Sequence, residues 1–199
     1  IALKIYQGLL KFHAADADKD AFIDAEIRRL VYVKNASSGD GKQEIFIKRM
    51  GEIASEYKSS KLSALAVFYI AQELYDKGEY VKALQTAEQA VKDHPESDGA
   101  TNCRVVINNI KSRSYSLSAE RSIMSGEKTK IAVNYKNIDT LNFRVVKESW
   151  KECLEGETAE EGRKSFNWID ESEIRKMLAK KPEAEWSSSL KPTADYKQA

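Results

Sequence analysis

Residues 63–97 read SALAVFYIAQELYDKGEYVKALQTAEQAVKDHPES, and this stretch decides the fold of the first half of the chain. Apolar residues recur here at the 3.6-residue period of an amphipathic helix, on both sides of Gly78. Glycine supplies the left-handed backbone that ends many helices, and Pro95 cannot extend a helix interior. The stretch therefore predicts two helices that are joined by a tight turn at Gly78 and end before Pro95.

The same stretch resembles the tetratricopeptide repeat. That repeat has small residues where its two helices cross, large residues that fill the groove, and a terminal proline. The residues at matching positions are Val67, Ile70, Ala71, Leu74, Gly78, Tyr80, Ala83, Ala87, Ala90 and Pro95. Val67 and Ala87 are smaller than the side chains usual at their positions, so a generic antiparallel helix pair is the alternative interpretation.

Four further helices are predicted around this pair. Two amphipathic segments precede it, at residues 2–13 and after Asp20, and a third follows the loop at residues 35–41. Asp40 and Gln43 form a capping-box pattern for that third helix, and Ser60 is placed to cap the helix that carries Leu62 and Leu65. Ser97 then predicts the start of a sixth helix.

After Lys111 the apolar period changes from 3.6 to 2, which is typical of half-buried strands. Residues 129–146 predict a hairpin with a four-residue loop, and residues 186–190 predict one more strand. Helical character returns at about 157–182, where Thr158 and Glu161 form a capping-box pattern. Four strands are fewer than a sandwich needs. We therefore expect an α+β chain with a helical domain at 1–112 and an incomplete β domain at 113–199.

The order of these segments is similar to the amino-terminal region of bacterial alpha-2-macroglobulin-like proteins of the Bacteroidetes type. The resemblance covers about residues 60–199. It lies in the segments 83–104, 115–120, 125–137, 143–147 and 185–190, with Asp195 and Tyr196.

This resemblance implies a large secreted or lipid-anchored envelope protein that is built from successive macroglobulin β-sandwich domains and traps proteases. The chain would then be its non-catalytic amino-terminal part, in the periplasm or cell envelope. Residues 113–199 would be its first macroglobulin β domain, and the partners would be the rest of the polypeptide and target proteases. Many members carry a thioester in a Cys-Gly-Glu-Gln motif, which neither Cys103 nor Cys153 matches. The alternative is a tetratricopeptide-type protein or peptide-binding module.

The charge balance and the short apolar stretches argue against nucleic acid and membranes as partners. The 32 basic and 31 acidic residues are interspersed, so no field steers the chain to nucleic acid or an anionic membrane. The longest apolar stretch, residues 62–71, has about half of the ~20 residues that a bilayer span needs. The first residue is Ile1, and we expect the chain to be a piece of a longer protein. Cys103 and Cys153 are too few for a disulfide framework.

A few motifs imitate catalytic or metal chemistry. Asp16, Asp18, Asp20 and Asp24 have the spacing of a calcium loop, but Ala21 replaces its glycine and Ile27 its closing glutamate. An acidic, solvated helix start is the simpler interpretation. His13 and His94 have no second ligand at zinc spacing. We expect no metal or cofactor site.

Two Ser-x-x-Lys matches start at Ser55 and Ser125, without the companion motifs of acyl-transferring serines. A hydrolase is thus a third hypothesis, and we expect no catalytic residues. Trp150, Trp168 and Trp186 are expected in a core rather than on a partner surface.

Overall fold

Six helices precede two small antiparallel sheets in the computed structural model, which describes residues 1–120, 124, 126–147 and 171–199. The α+β class is confirmed, whereas a macroglobulin β-sandwich is not found among the described residues. The elements are α1 (Ala2–His13), α2 (Asp20–Ala36), α3 (Lys42–Glu56), α4 (Ser63–Asp76), α5 (Tyr80–Asp93), α6 (Asp98–Lys111), β1 (Ser114–Ala119), β2 (Ile131–Lys136), β3 (Thr140–Val146), α7 (Glu171–Ala179) and β4 (Pro182–Ser189).

The predicted helical hairpin is α4 and α5. Gly78 has a φ of +74°, which lets the chain turn between the two helices, and α5 ends at Asp93, before Pro95. The small residues of the repeat are almost fully buried where α4, α5 and α6 pack together, since alanine side chains let helix axes approach closely. They are Ala71, Ala83, Ala87 and Ala90.

Larger side chains fill the second part of the helical core. Ile23 and Ile27 of α2 pack with Phe46 and Met50 of α3, and Ala66 of α4 closes this cluster. All five are at most 3% exposed. The helices therefore form a continuous stack from α2 to α6, and α1 packs against α2 at one end.

The predicted caps have mixed outcomes. The Ala100 N–H donates to Ser97 Oγ at 3.1 Å, so the Ser97 cap is confirmed. The Asp40 cap is wrong, because Gly41 takes the N-cap position in the left-handed conformation and no side chain caps α3. Ser60 caps the preceding turn instead of α4: its hydroxyl accepts from the Leu62 N–H and donates to Asp20.

The strand pairing differs from the prediction. β2 pairs antiparallel with β1, and β3 pairs antiparallel with β4, so the hairpin expected at residues 129–146 is wrong. Asn137, which was to close that hairpin, has a φ of +56° and donates its side-chain amide to the carbonyls of Ile110 and Ser112. The Asn137 side chain thus caps the end of α6 rather than a turn between β2 and β3.

The described chain divides into two compact units, Ile1–Asn137 with Pro192–Ala199, and Ile138–Lys191. The predicted boundary at 112 and 113 does not coincide with this division, because the β1–β2 ribbon belongs to the helical unit. Ala199 and Tyr135 exchange two backbone hydrogen bonds of 2.9 and 3.0 Å, and Tyr196 packs against the core of α5 and α6. Residues 192–199 therefore return to the helices.

The second unit contains β3, α7 and β4. The strand predicted at residues 186–190 is the end of the longer β4, and α7 lies inside the predicted insert, of which residues 157–170 are outside the described part. Phe143 stacks on Trp186 with ring centroids 5.0 Å apart. On the other face, Arg144 pairs with Glu185 at 3.2 Å. Among the described residues, no helix has the length and hydropathy to cross a bilayer.

Candidate interaction surfaces

The β1–β2 ribbon has one apolar face and one polar face. Its register places Tyr115 opposite Tyr135, Leu117 opposite Val133 and Ala119 opposite Ile131. Because strand side chains alternate, these six residues share one face, which we call the ribbon face. Tyr115 is 59% exposed and Leu117 is 50% exposed, although half-buried strands were expected. A two-stranded ribbon is marginal in water on its own. The ribbon face is thus a candidate interaction surface.

The β3–β4 pair has the same two-faced character. Leu141, Phe143 and Val145 share a face with Ala184 and Trp186. Trp186 is 42% exposed, so the expectation that it lies in a core is wrong. Its only ring partner in the described part of the chain is Phe143. Trp150 and Trp168 are outside the described residues.

The outer side of α1 is apolar as well. Ile5, Leu9 and Phe12 follow one another at helical spacing and are 41–77% exposed. No residue of α1 is buried. End helices of stacked repeats usually carry a polar outer face. The helical stack therefore carries an exposed apolar surface of its own, at α1.

A cleft lies between α2 and α3. It has a volume of about 250 Å³. Its lining combines isoleucines, aromatic rings, carboxylates and one guanidinium, from Phe22, Ile23, Glu26, Arg49, Glu52, Ile53, Glu56 and Tyr57. Burial raises the pKa of the Tyr57 hydroxyl, and its hydrogen bond with Glu56 adds to the shift. No motif in the sequence indicated this site. Its residues come from two helices, and their spacing within each helix matches no known motif.

The four carboxylates whose spacing resembles a calcium loop, in residues 16–24, each contact a different partner. Asp16 contacts His13 Nδ1 at 2.7 Å, Asp18 accepts from the Asp20 N–H at 2.9 Å, and Asp24 pairs with Arg28 at 2.7 Å. Asp20 accepts from the Ser60 hydroxyl. Within the described ranges, no group of three or more His, Cys, Asp or Glu side chains could hold a metal ion.

The structure brings together a serine and a histidine that the sequence did not connect. His94 Nε2 lies 3.0 Å from both Ser63 Oγ and the Lys58 carbonyl oxygen. Ser63 is only 4% exposed, at the start of α4. The contact bridges the end of α5 to the start of α4.

The Ser-x-x-Lys serines and the cysteines are placed as follows. Ser55 donates its hydroxyl to the Gly51 carbonyl within α3, while Ser125 and Cys153 are outside the described residues. Cys103 is fully buried, and burial raises the pKa of its thiol to about 11. A neutral buried thiol is a poor nucleophile.

Comparison with known proteins gives no relative: no protein-family model, curated protein or solved structure matches the chain. Functional inference therefore depends on the chain's own surfaces and chemistry.

Proposed function

We propose that the chain is a non-catalytic packing element of a macroglobulin-like endopeptidase inhibitor of the bacterial cell envelope. The ribbon face carries this proposal. It is an apolar strand surface that is attached to a helical stack, and its side chains are exposed. We expect such a surface where further β structure of the complete protein packs on it. In sandwich proteins, a second sheet packs on such a face at a distance of about 10 Å.

The attachment of the ribbon to the helices supports this role. Lys136 Nζ donates to the Asn109 carbonyl at 2.8 Å and lies 5.6 Å from the centre of the Tyr80 ring. Asn137 holds the end of α6, and Ala199 pairs with Tyr135. The helices thus hold the ribbon in a fixed orientation, which is what a packing element requires.

The energy of covering the ribbon face is substantial. Fully burying one large apolar side chain stabilises a protein by about 1.5–3 kcal/mol. Tyr115, Leu117 and Ile131 are each 40–59% exposed, so a covering sheet would gain roughly half of that value for each. The rest of the polypeptide is the partner that this proposal requires, and proteases are the targets of the complete inhibitor.

The separation of the polar side chains described above supports a non-catalytic role. The carboxylates of α2 are divided among different partners, and the contact between buried Ser63 and partly buried His94 joins two helices. The proposal places the protein in the periplasm or cell envelope.

A trapping assay on the polypeptide that the gene encodes tests the proposal. Trypsin is incubated with that protein, and cleavage of a large protein substrate and of a small peptide substrate is measured. A protease enclosed in a trap loses access to the large substrate and keeps its activity on the small one. Unchanged cleavage of both substrates would refute the trapping function.

A peptide-binding module of tetratricopeptide type is the second candidate. The α4–α5 hairpin, in which the four alanines of the repeat pattern are buried, favours it. Repeat arrays generally need three or more repeats to form a stable groove, which places this candidate second. Its test is a peptide library on the immobilised full chain, followed by NMR mapping. A binder located on α4–α6 would support it, and failure to obtain one would count against it.

A further inference from the structure

We propose that the α2–α3 cleft is a binding site for a single basic side chain, lysine or arginine, of a protein partner. This inference rests on neither function proposed above, since the cleft lies outside both the α4–α5 hairpin and the ribbon face. Three properties of the cleft support it: its size, its charge and its aromatic wall.

The size of the cleft suits one side chain. Sites for drug-sized ligands have volumes of about 300–1,000 Å³. At about 250 Å³ this cleft is smaller, and residues of both helices line it. Ile23 and Ile53 form an apolar floor and are 1% and 7% exposed. The methylene stem of a lysine or arginine can pack on such a floor while its charged end stays near the rim.

The charge of the cleft is complementary to a cation. Three carboxylates, Glu26, Glu52 and Glu56, face one guanidinium, that of Arg49. Arg49 pairs with Glu52 at 2.6 Å, and Arg29, outside the cleft, pairs with Glu26 at 2.5 Å. Even with Arg29 counted, carboxylates outnumber guanidiniums by three to two. Glu56 has no ion-pair partner in the described part of the chain; its carboxylate accepts a hydrogen bond from the Tyr57 hydroxyl, which leaves its charge unneutralised.

The aromatic wall favours a cation over a neutral side chain. The rings of Phe22 and Tyr57 lie 6.5 Å apart, at an interplanar angle of 54°. Both belong to the lining of the cleft. A cation within about 6 Å of an aromatic ring centre is attracted by the ring's electron-rich face. An incoming ammonium or guanidinium would therefore contact a ring and the Glu56 carboxylate together.

The test uses the full chain, labelled with ¹⁵N, and three short peptides that differ at one central residue: lysine, arginine or the uncharged norleucine. Saturable NMR shifts are expected at the amides of Phe22, Glu56 and Tyr57 with the lysine and arginine peptides. Glu56→Gln should weaken binding by about two- to fivefold, within the range usual for an exposed ion pair. Glu88→Gln, the same charge change on α5, should leave it unchanged.

Three results would overturn the inference. The first is the absence of shifts at the cleft with either basic peptide. The second is equal binding of the norleucine peptide, which would show that the cation is not recognised. The third is an equal loss of affinity in Glu56→Gln and Glu88→Gln, which would show a general charge effect.

Discussion

Gly99 of α6 lies directly against the backbone of Ala64 of α4. A Cβ atom at Gly99 would be 2.3 Å from the Ala64 carbonyl carbon and 2.5 Å from its oxygen. Helix backbone cannot move aside as a flexible side chain can, so α6 would have to shift away from α4. The close contact of these two helices therefore requires glycine at this position.

Gly99→Ala is expected to destabilise the protein by about 3 kcal/mol, since overpacking exceeds the gain in helix propensity. Urea denaturation of the full chain measures this change. Gly51→Ala is the matched control, because Gly51 lies within α3 and a Cβ there meets no atom within 4 Å. It should stabilise the protein by about 0.5–1 kcal/mol. Equal effects of the two substitutions would contradict the close contact.

Lys34 and Glu73 form an ion pair between α2 and α4, and the Glu73 residue is only 6% exposed. Lys34→Met should cost about 3 kcal/mol, because it leaves a buried carboxylate without a partner. Glu73→Gln should cost less, since the ammonium of Lys34 can still reach water. Urea denaturation of both single variants and the double variant gives the coupling between them. The prediction fails if Glu73→Gln is the more damaging change.

Asn137 combines a left-handed backbone with two side-chain hydrogen bonds to the end of α6. Asn137→Gly keeps the backbone conformation and removes both bonds, which should cost about 1–2 kcal/mol. Asn137→Ala adds the penalty of the left-handed region, about 1 kcal/mol more. The difference between the two variants in chemical denaturation separates the two contributions. Equal stability of both would show that the backbone conformation carries no strain.

Amide hydrogen exchange in the last turn of α6, whose carbonyls accept from Asn137, tests whether the effect of these substitutions is local. Loss of the Asn137 cap should speed exchange in the last turn of α6 and leave α2 unchanged. Uniform acceleration over the whole helical stack would instead indicate a global loss of stability.

Local signals in the sequence predicted the helices well. They did not predict which strands pair with each other. Gly78, Pro95 and Ser97 act within one turn of their own position, so their effects are visible in a single stretch. The period of two identified β2 and β3, yet it does not specify which strands pair. Asn137 looked like a turn residue because its role depends on the carbonyls of Ile110 and Ser112, which are about 25 residues away in sequence.

The candidate sites follow the same rule. The cleft brings Phe22 and Tyr57 together from two helices, and periodicity alone does not give the packing that joins them. The spacing of a calcium loop at residues 16–24 was visible in the sequence. In the structure, the carboxylates of this segment instead bond to neighbouring protein groups. Spacing within one segment predicts helices, whereas a site assembled from several segments depends on their packing.

Cys103 should make the stability of the helical stack sensitive to alkaline pH. Its thiol pKa is raised from 9.0 to about 11 by burial, so folded and unfolded chains bind the proton equally below pH 9. Between pH 9 and 11 the unfolded thiol ionises first, and up to about 3 kcal/mol of stability is lost over this range. The measurement is the free energy of unfolding in urea at pH 7–10.5, in a Cys153→Ser background that leaves one thiol. Cys103→Ala in the same background should lower stability at pH 7, where the buried sulfur atom is lost from the core, and show a shallower alkaline slope. Identical slopes with and without the Cys103 thiol would contradict the prediction, because the remaining titrating groups would then account for the whole decline.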